Sequence, residues 1–449
     1  MARPAPYTCT SCGADALRWS GQCPTCQEWN TLTEKELETV GASTSVDVSV
    51  VELAGIVVEA SQIQTTGVAE VDRVLGGGLT PGSVTLVAGD PGIGKSTLCL
   101  QAAMFVASKG GTALVVAAEE AASQVAARAR RLGDASHGIE LVATADLVKA
   151  VAALEKTDAS LCVIDSVSTI SDSSVRGPGG GVTQVRNAAE QLSGVARRRG
   201  IALLLVGHVT KDGDLAGPRA LEHLVDTVMM IEGDRHHPRR IATTVKHRFG
   251  PAGEVGVLEL DGTGLSSVAD PSAALLAERG PSLPGSVASV LAEGNRPLVV
   301  EIQALVTPAM AAPARVAQGV SPTRLRQLAA VIDAHCDLGI GRMDLFVACA
   351  GAMKALEPAI DVAVVGAIVS AFFGKPLPED VVAFGEIGLT GAVRPVLATP
   401  RRLAEAERVG LRRALVPSGT PTPNSLEVME VATVAELVAR VSQLSATTS

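Results

Sequence analysis

Aromatic residues make up only 2% of the 449-residue chain: one Tyr, two Trp and six Phe. The ring platforms on which many single-strand binders stack bases are therefore largely missing. Positive charge is also short. Lys and Arg number 38 against 47 Asp and Glu, a formal net charge of -9, which argues against a protein that coats nucleic acid with its whole surface. No apolar run reaches the length of a membrane span, so no membrane partner is expected, and the opening MARPAPYTCTSCG lacks the charged-then-apolar pattern of a secretory signal. These absences place the chain in the cytoplasm. What is present suits folding: 47% hydrophobic residues, and 45 glycines and 24 prolines without a collagen-like period, exclude wholesale disorder. At roughly 150 residues per domain, the length gives two to three domains.

Cysteine is sparse outside one cluster. Cys99, Cys162, Cys336 and Cys349 stand alone and read as buried thiols, whereas Cys9-x2-Cys12 and Cys23-x2-Cys26 lie ten residues apart. Two knuckles so spaced bring four thiolates onto one tetrahedral ion, with Zn²⁺ the expected occupant; two disulfides or a redox pair is the weaker alternative in a reducing compartment. A closed four-thiolate site is structural and carries no chemistry. Gly13 and Gly21 suit the tight turns of the knuckles. Trp19 and Trp29 are expected to cover the small ribbon as core, contact with a partner or a base being the alternative.

Composition divides the chain into a ribbon over 1–33, a polar, small-residue linker over 34–55, an α/β domain over 56–267 and a third domain over 270–449. Within 56–267 the apolar runs SVTLVAG, TALVVAAEE, LCVIDSV and IALLLVGH alternate with helical stretches, which implies a parallel sheet. Between the first strand and the helix STLCLQAAMFVAS lies Gly89-Asp90-Pro91-Gly92-Ile93-Gly94-Lys95-Ser96-Thr97, which fits G-x-x-x-x-G-K-[ST] in the strand–helix context that makes the motif specific. Its glycines let backbone N–H groups wrap phosphates, Lys95 neutralises the β and γ charges, and the Ser96 hydroxyl can ligate Mg²⁺.

The second strand ends at Glu119-Glu120, where a carboxylate can polarise an attacking water. The third ends in Asp165, placed to hold Mg²⁺ from the far side. After the fourth come His208, Thr210 and Lys211, candidates to sense the γ-phosphate, with an exposed loop histidine nearly as good a reading. From Arg176 to Arg248, twelve basic residues stand against seven acidic ones inside a net-acidic chain. Such a cluster on glycine-rich loops fits sequence-blind contact with a phosphate backbone, although Arg197, Arg198 and Arg199 read as a solvated helix face.

Taken together, these segments resemble the RadA (Sms) family of RecA-related bacterial ATPases: CTSCGADALRWSGQCPTCQEWNT its zinc ribbon, GDPGIGKSTL its Walker A, GHVTKDGDLAGPRALEHLVD its loop after the fourth strand, and KHRFG its K-N-R-F-G motif. EIQALV and FGEIGLTGAVRP resemble the Lon-protease-like domain that the family carries. The resemblance implies an ATP- and Mg²⁺-dependent homo-hexameric ring that loads on single-stranded and branched DNA and drives branch migration alongside RecA recombinase. It also implies that Lys246 and Arg248 reach a neighbouring subunit's phosphates, and that Glu119 is the general base. Two departures stand out: His247 replaces the motif's Asn, and Ala121 replaces Ser after the paired glutamates.

In the Lon-like domain the positions matching the Ser–Lys dyad hold Ala359 and Pro400, so no proteolysis is expected, and Ser370 and Lys375 fall outside the dyad register. That domain is instead expected to form an oligomerisation ring and a further DNA surface, with Arg315, Arg324 and Arg326 as candidates for phosphate contact. The alternatives are a RecA-like ATPase that assembles protein partners without touching DNA, and a replicative-type helicase.

Overall fold

A computed structural model describes residues 7–34, 63–133, 137–207, 221–234, 237–294, 296–351, 353–421 and 425–446. His208, Thr210, Lys211, Arg219, Arg235 and nearly all of the expected linker lie outside the described residues. The chain forms two compact units, Met1–Glu59 and Ala60–Ser449.

In the first unit, β1 (Tyr7–Cys9) pairs antiparallel with both β2 (Asp15–Ala16) and β3 (Leu32–Glu34). Its core is little more than Cys9, Ala16, Cys23 and Leu32, with Tyr7 and Cys26 against them. So small a core cannot hold a fold without a staple, which is the place a metal takes.

The second unit holds two large sheets. Nine strands make the first: β4 (Val84–Gly89), β5 (Ala113–Ala117), β6 (Ile139–Ala143), β7 (Leu161–Asp165), β8 (Ala202–Val206), β9 (Thr227–Glu232), β10 (Arg239–His247), β11 (Val255–Asp261) and β12 (Gly264–Ser267). Their order is β12-β11-β10-β9-β4-β8-β7-β5-β6, with β9 through β6 parallel and the other three added as an antiparallel edge. Strand side chains alternate between two cores. Val87, Val115, Val163 and Leu204 face α1 (Ala69–Val74), α2 (Lys95–Ser108) and α3 (Ala122–Gly133). Leu86, Leu114, Ile164 and Leu205 face α4 (Leu147–Lys156) and α5 (Val182–Arg199). Helices on both faces explain why the central strands are apolar throughout.

The second sheet runs β15-β16-β14-β13-β17-β20-β21, built from β13 (Ser286–Glu293), β14 (Arg296–Pro308), β15 (Arg315–Gln318), β16 (Met343–Cys349), β17 (Val381–Ala383), β20 (Arg413–Pro417) and β21 (Glu427–Val431). A separate pair joins β18 (Glu386–Ile387) to β19 (Val393–Arg394). The helices are α6 (Pro271–Ala277), α7 (Pro322–Cys336), α8 (Asp361–Phe373), α9 (Thr399–Arg408) and α10 (Val434–Ala446). Helix α8, apolar on all sides, is buried from Asp361 to Ser370, as a helix without a polar face must be.

Ion pairs join the two sheet domains: Arg296 to Glu70 at 2.5 Å, Lys354 to Glu232 at 2.5 Å, and Arg239 to Glu278 at 2.5 Å. Among the described residues no helix is long and apolar enough to cross a membrane.

Candidate nucleotide site and zinc centre

The phosphate loop leaves the end of β4 and enters α2 through backbone that only glycine adopts easily. Gly92 has φ +78° and Gly94, at the helix N-cap, φ +114°. At Gly89 a methyl group would lie 2.3 Å from the carbonyl oxygen of Ile231 on the neighbouring strand. Lys95 is only 4% exposed, and its ammonium donates to the carbonyls of Gly89 at 2.8 Å and Asp90 at 2.9 Å. Burial pushes its pKa down, while Asp165, Asp90 and Glu119 pull it back up. The loop thus curls around one buried cation, as a site for polyphosphate requires.

Parallel register brings the acids to it. Ala117 on β5 lies beside Asp165 on β7, and the Ala118 N–H donates to the Asp165 carbonyl at 2.7 Å, which sets Glu119 next to Asp165. The Ser96 hydroxyl bonds the Asp165 carboxylate; burial raises the Asp165 pKa, and the charges of Glu119 and Glu120 add to the rise. Glu119 accepts from the hydroxyls of Ser166 and of Thr169, the latter at 2.9 Å. Glu120 turns instead to Arg128 at 2.5 Å. The Asp165 carboxylate with the Ser96 hydroxyl bonded to it and Glu119 beside it forms an oxygen donor set that fits a hard divalent cation.

Lys246 and Arg248 are not part of this cluster. β10 runs antiparallel to β9, so Ile241 lies opposite Glu232 near the phosphate loop, and Lys246 lies opposite Val228 at the other end. Roughly 10 Å of strand separates that row from the row of Gly89. The Lys246 ammonium donates to the carbonyls of Glu222 and, at 2.9 Å, Val225; Arg248 pairs with Asp226 at 2.9 Å. Between them, His247 Nδ1 lies 3.0 Å from Thr227 Oγ1, its ring edge-on to exposed Phe249, and burial pushes the imidazole pKa down.

The basic segment is less available than its composition suggests. Arg239 and Arg240 are buried, while Arg197, Arg198 and Arg199 lie at the exposed end of α5 beside Asp226, Glu155 and Asp158. In the Lon-like domain, Arg315 donates to the carbonyls of Ala314, Ile340, Gly341 and Met343, and Arg324 is paired with fully buried Asp361. The expectation of phosphate contact therefore fails for Arg315 and Arg324, whose donors are used inside the fold, and leaves Arg326 exposed.

Around the dyad positions, Ala359 is buried and its carbonyl accepts from the Gly385 N–H at 2.7 Å. Two residues to either side, Glu357 and Arg402 form a bidentate pair at 2.5 and 2.9 Å, with Arg402 only 1% exposed. The Ser370 hydroxyl donates to the Lys375 carbonyl at 2.6 Å, a helix-end contact away from the dyad.

In the ribbon, the sulfurs of Cys9, Cys12, Cys23 and Cys26 all lie within 4.8 Å of one another, with Cys9–Cys26 at 3.6 Å and Cys12–Cys23 at 3.8 Å. A tetrahedral zinc with bonds of about 2.3 Å sets sulfurs about 3.8 Å apart, so the cluster fits the ion. The cysteines are unbridged. Gly13 makes its turn at φ +72°, but Gly21 does not; the second knuckle turns at Gln27, φ +63°. Trp19 and Trp29 are 58% and 71% exposed, so neither is core. Four sulfurs leave the ribbon no interior large enough for an indole.

A zinc ribbon, a RecA-like P-loop core and a Lon-like domain in one chain define a class of RecA-related P-loop proteins. Comparison with known proteins agrees. Residues 7–34 match the rubredoxin metal binding domain, 52–214 the AAA domain and 309–439 the Lon protease (S16) C-terminal proteolytic domain. The DNA repair protein RadA of Brucella abortus is 42% identical, over 97% of this chain and 97% of that protein. RadA of Pseudomonas aeruginosa is 42% identical over 95% and 96%, and RadA of Bacillus subtilis 38% over 96% and 97%. The crystal structure of the RadB recombinase aligns at 21% identity with a TM-score of 0.38 over 46% of this chain and all of its own. The chain belongs to the RadA family of DNA repair proteins.

Proposed function

We propose that the protein is a DNA-dependent ATPase of recombinational repair, working in the cytoplasm as a homo-hexameric ring that binds single-stranded and branched DNA and promotes branch migration with RecA. The observation that carries this reading is the convergence of the Lys95 loop with Ser96, Asp165 and Glu119 at one sheet edge. In it, residues 89–97 cradle ATP, and Ser96 and Asp165 hold Mg²⁺, which neutralises phosphate charge when bound. Glu119, oriented by the Ser166 and Thr169 hydroxyls, takes the proton of the attacking water. Lys246 and Arg248, at the wrong end of β10 for their own loop, supply positive charge to a neighbour's phosphates. The division into 1–33, 34–55, 56–267 and 270–449 is part of the same proposal, and the last domain has no protease activity: Ala359 and Pro400 offer neither nucleophile nor base.

The test is ATP hydrolysis by the full-length protein with and without single-stranded DNA, which should rise with DNA and vanish in Lys95→Ala. Normal hydrolysis by that variant would sink the site. A second reading, an ATPase that assembles protein partners without DNA, draws on the burial of Arg239 and Arg240 and the internal use of Arg315 and Arg324. Binding to single-stranded DNA at two salt concentrations separates them, since a backbone-tracking motor weakens steeply with salt.

A further inference from the structure

We infer that Arg240 is a positioning residue for the phosphate loop, and that Arg239 beside it ties the same end of β10 to the C-terminal domain. The inference rests on the reading of residues 89–97 as a nucleotide site. Arg240 is 4% exposed and lies in the sheet rather than on the surface. Its Nε donates to the Ile93 carbonyl, inside the loop, at 3.1 Å. Its Nη1 donates to the carbonyls of Asp234 at 3.0 Å, Arg239 at 2.8 Å and His237, which knots the turn between β9 and β10. One planar guanidinium thereby holds two backbone segments in fixed relation, a task for which a single-point ammonium is unsuited. The space is reserved for it: a methyl group on Gly233 would lie 2.9 Å from Arg240 Cδ.

Neighbouring strand residues point to opposite faces. Arg239 accordingly leaves the other side of β10, where its guanidinium meets Glu278 at 2.5 and 3.2 Å and the Gly351 carbonyl at 3.3 Å. Gly351 has φ +71°, and a methyl group there would lie 2.5 Å from Arg239 Nη1. The carbonyl of Ile93 and that of Gly351, one in the phosphate loop and one in the Lon-like domain, are thus held by consecutive residues. A displacement of the C-terminal domain at Gly351 bears on the strand that fixes Ile93.

The experiment measures affinity for a fluorescent methylanthraniloyl-ADP, ATPase KM and kcat, and melting temperature for the full-length, zinc-loaded wild type, Arg240→Met, Arg240→Lys and Gly351→Ala. Arg240→Met is expected to weaken nucleotide binding and raise KM about tenfold or more, the ratio that follows from losing a hydrogen bond to a charged donor, with kcat changed less. Arg240→Lys, which keeps charge and stem, recovers only part of the affinity, and folds even if the Met variant does not. Gly351→Ala moves KM in the same direction from the other domain. Wild type that binds no nucleotide overturns the reading of the loop, and this inference with it. Wild type that binds, beside a folded Arg240→Lys with unchanged affinity and KM, overturns the positioning role alone. Gly351→Ala with wild-type KM removes the link to the C-terminal domain.

Discussion

Burial lowers the Lys95 pKa at the phosphate loop, and the charges of Asp165, Asp90 and Glu119 offset part of that fall. Removing Asp165 is therefore expected to do two things, weaken Mg²⁺ dependence and loosen Lys95. Asp165→Asn should lower kcat by roughly 10² or more, with a shifted magnesium titration; an unchanged magnesium midpoint would count against a metal role. A different carboxylate gives a pH prediction. Asp270 caps α6 through the Ala273 N–H and pairs with both terminal nitrogens of Arg408 at 2.6 and 2.8 Å, which holds its pKa down at about 2. Because the folded value lies below the unfolded one, the stabilisation is complete above about pH 4 and is lost as pH falls towards 2. The pair is exposed, so the effect is below about 1 kcal/mol. The melting-temperature gap between wild type and Asp270→Asn should hold from neutral pH down to about 4 and narrow below it; a gap that widens in acid would contradict the assignment.

At the scale of elements, the ribbon is a metal-held fold and the isolated cysteines are packing. Burial pushes the Cys99 and Cys162 thiols far up and Cys349 up to about 12, whereas Cys336 is only half buried. A thiol reagent on native, zinc-loaded protein should titrate at most Cys336. A chelator should then release one zinc and expose the four ribbon thiols while the second unit keeps its melting transition. Reaction of all eight cysteines before chelation would overturn this.

The elements also show how much was legible beforehand. The loop at 89–97 and the cysteine knuckles are readable because each has a fixed local spacing, and the positions of Glu119 and Asp165 because each ends an apolar strand. β6, the short half-polar IELVA, gives no such pattern, and β10 through β12 form an antiparallel edge that alternating strands and helices do not announce. Arg239 and Arg240 are among the twelve basic residues from Arg176 to Arg248, and composition cannot tell a buried cation from an exposed one. The only signal is their place at the head of a run rich in β-branched residues, RRIATTV. Trp19 and Trp29 stand exposed where core packing is expected for a related reason: size predicts burial only where a core exists to receive it.

For the whole molecule, the account turns on one asymmetry. The phosphate loop lies at one edge of the parallel sheet and Lys246 and Arg248 at the other; on the proposed function, one subunit would carry both halves of a site that only a neighbour closes. Under that proposal the ring would be obligatory for catalysis, which makes subunit mixing informative. The most direct measurement is DNA-stimulated ATP hydrolysis by Lys95→Ala and Arg248→Ala, each alone and mixed one to one. If Arg248 acts across the interface, both variants are inactive alone and the mixture recovers about a quarter of wild-type activity, because that share of randomly formed interfaces pairs an intact loop with an intact arginine. A mixture as inactive as its parts, from subunits shown to co-assemble, would contradict the account.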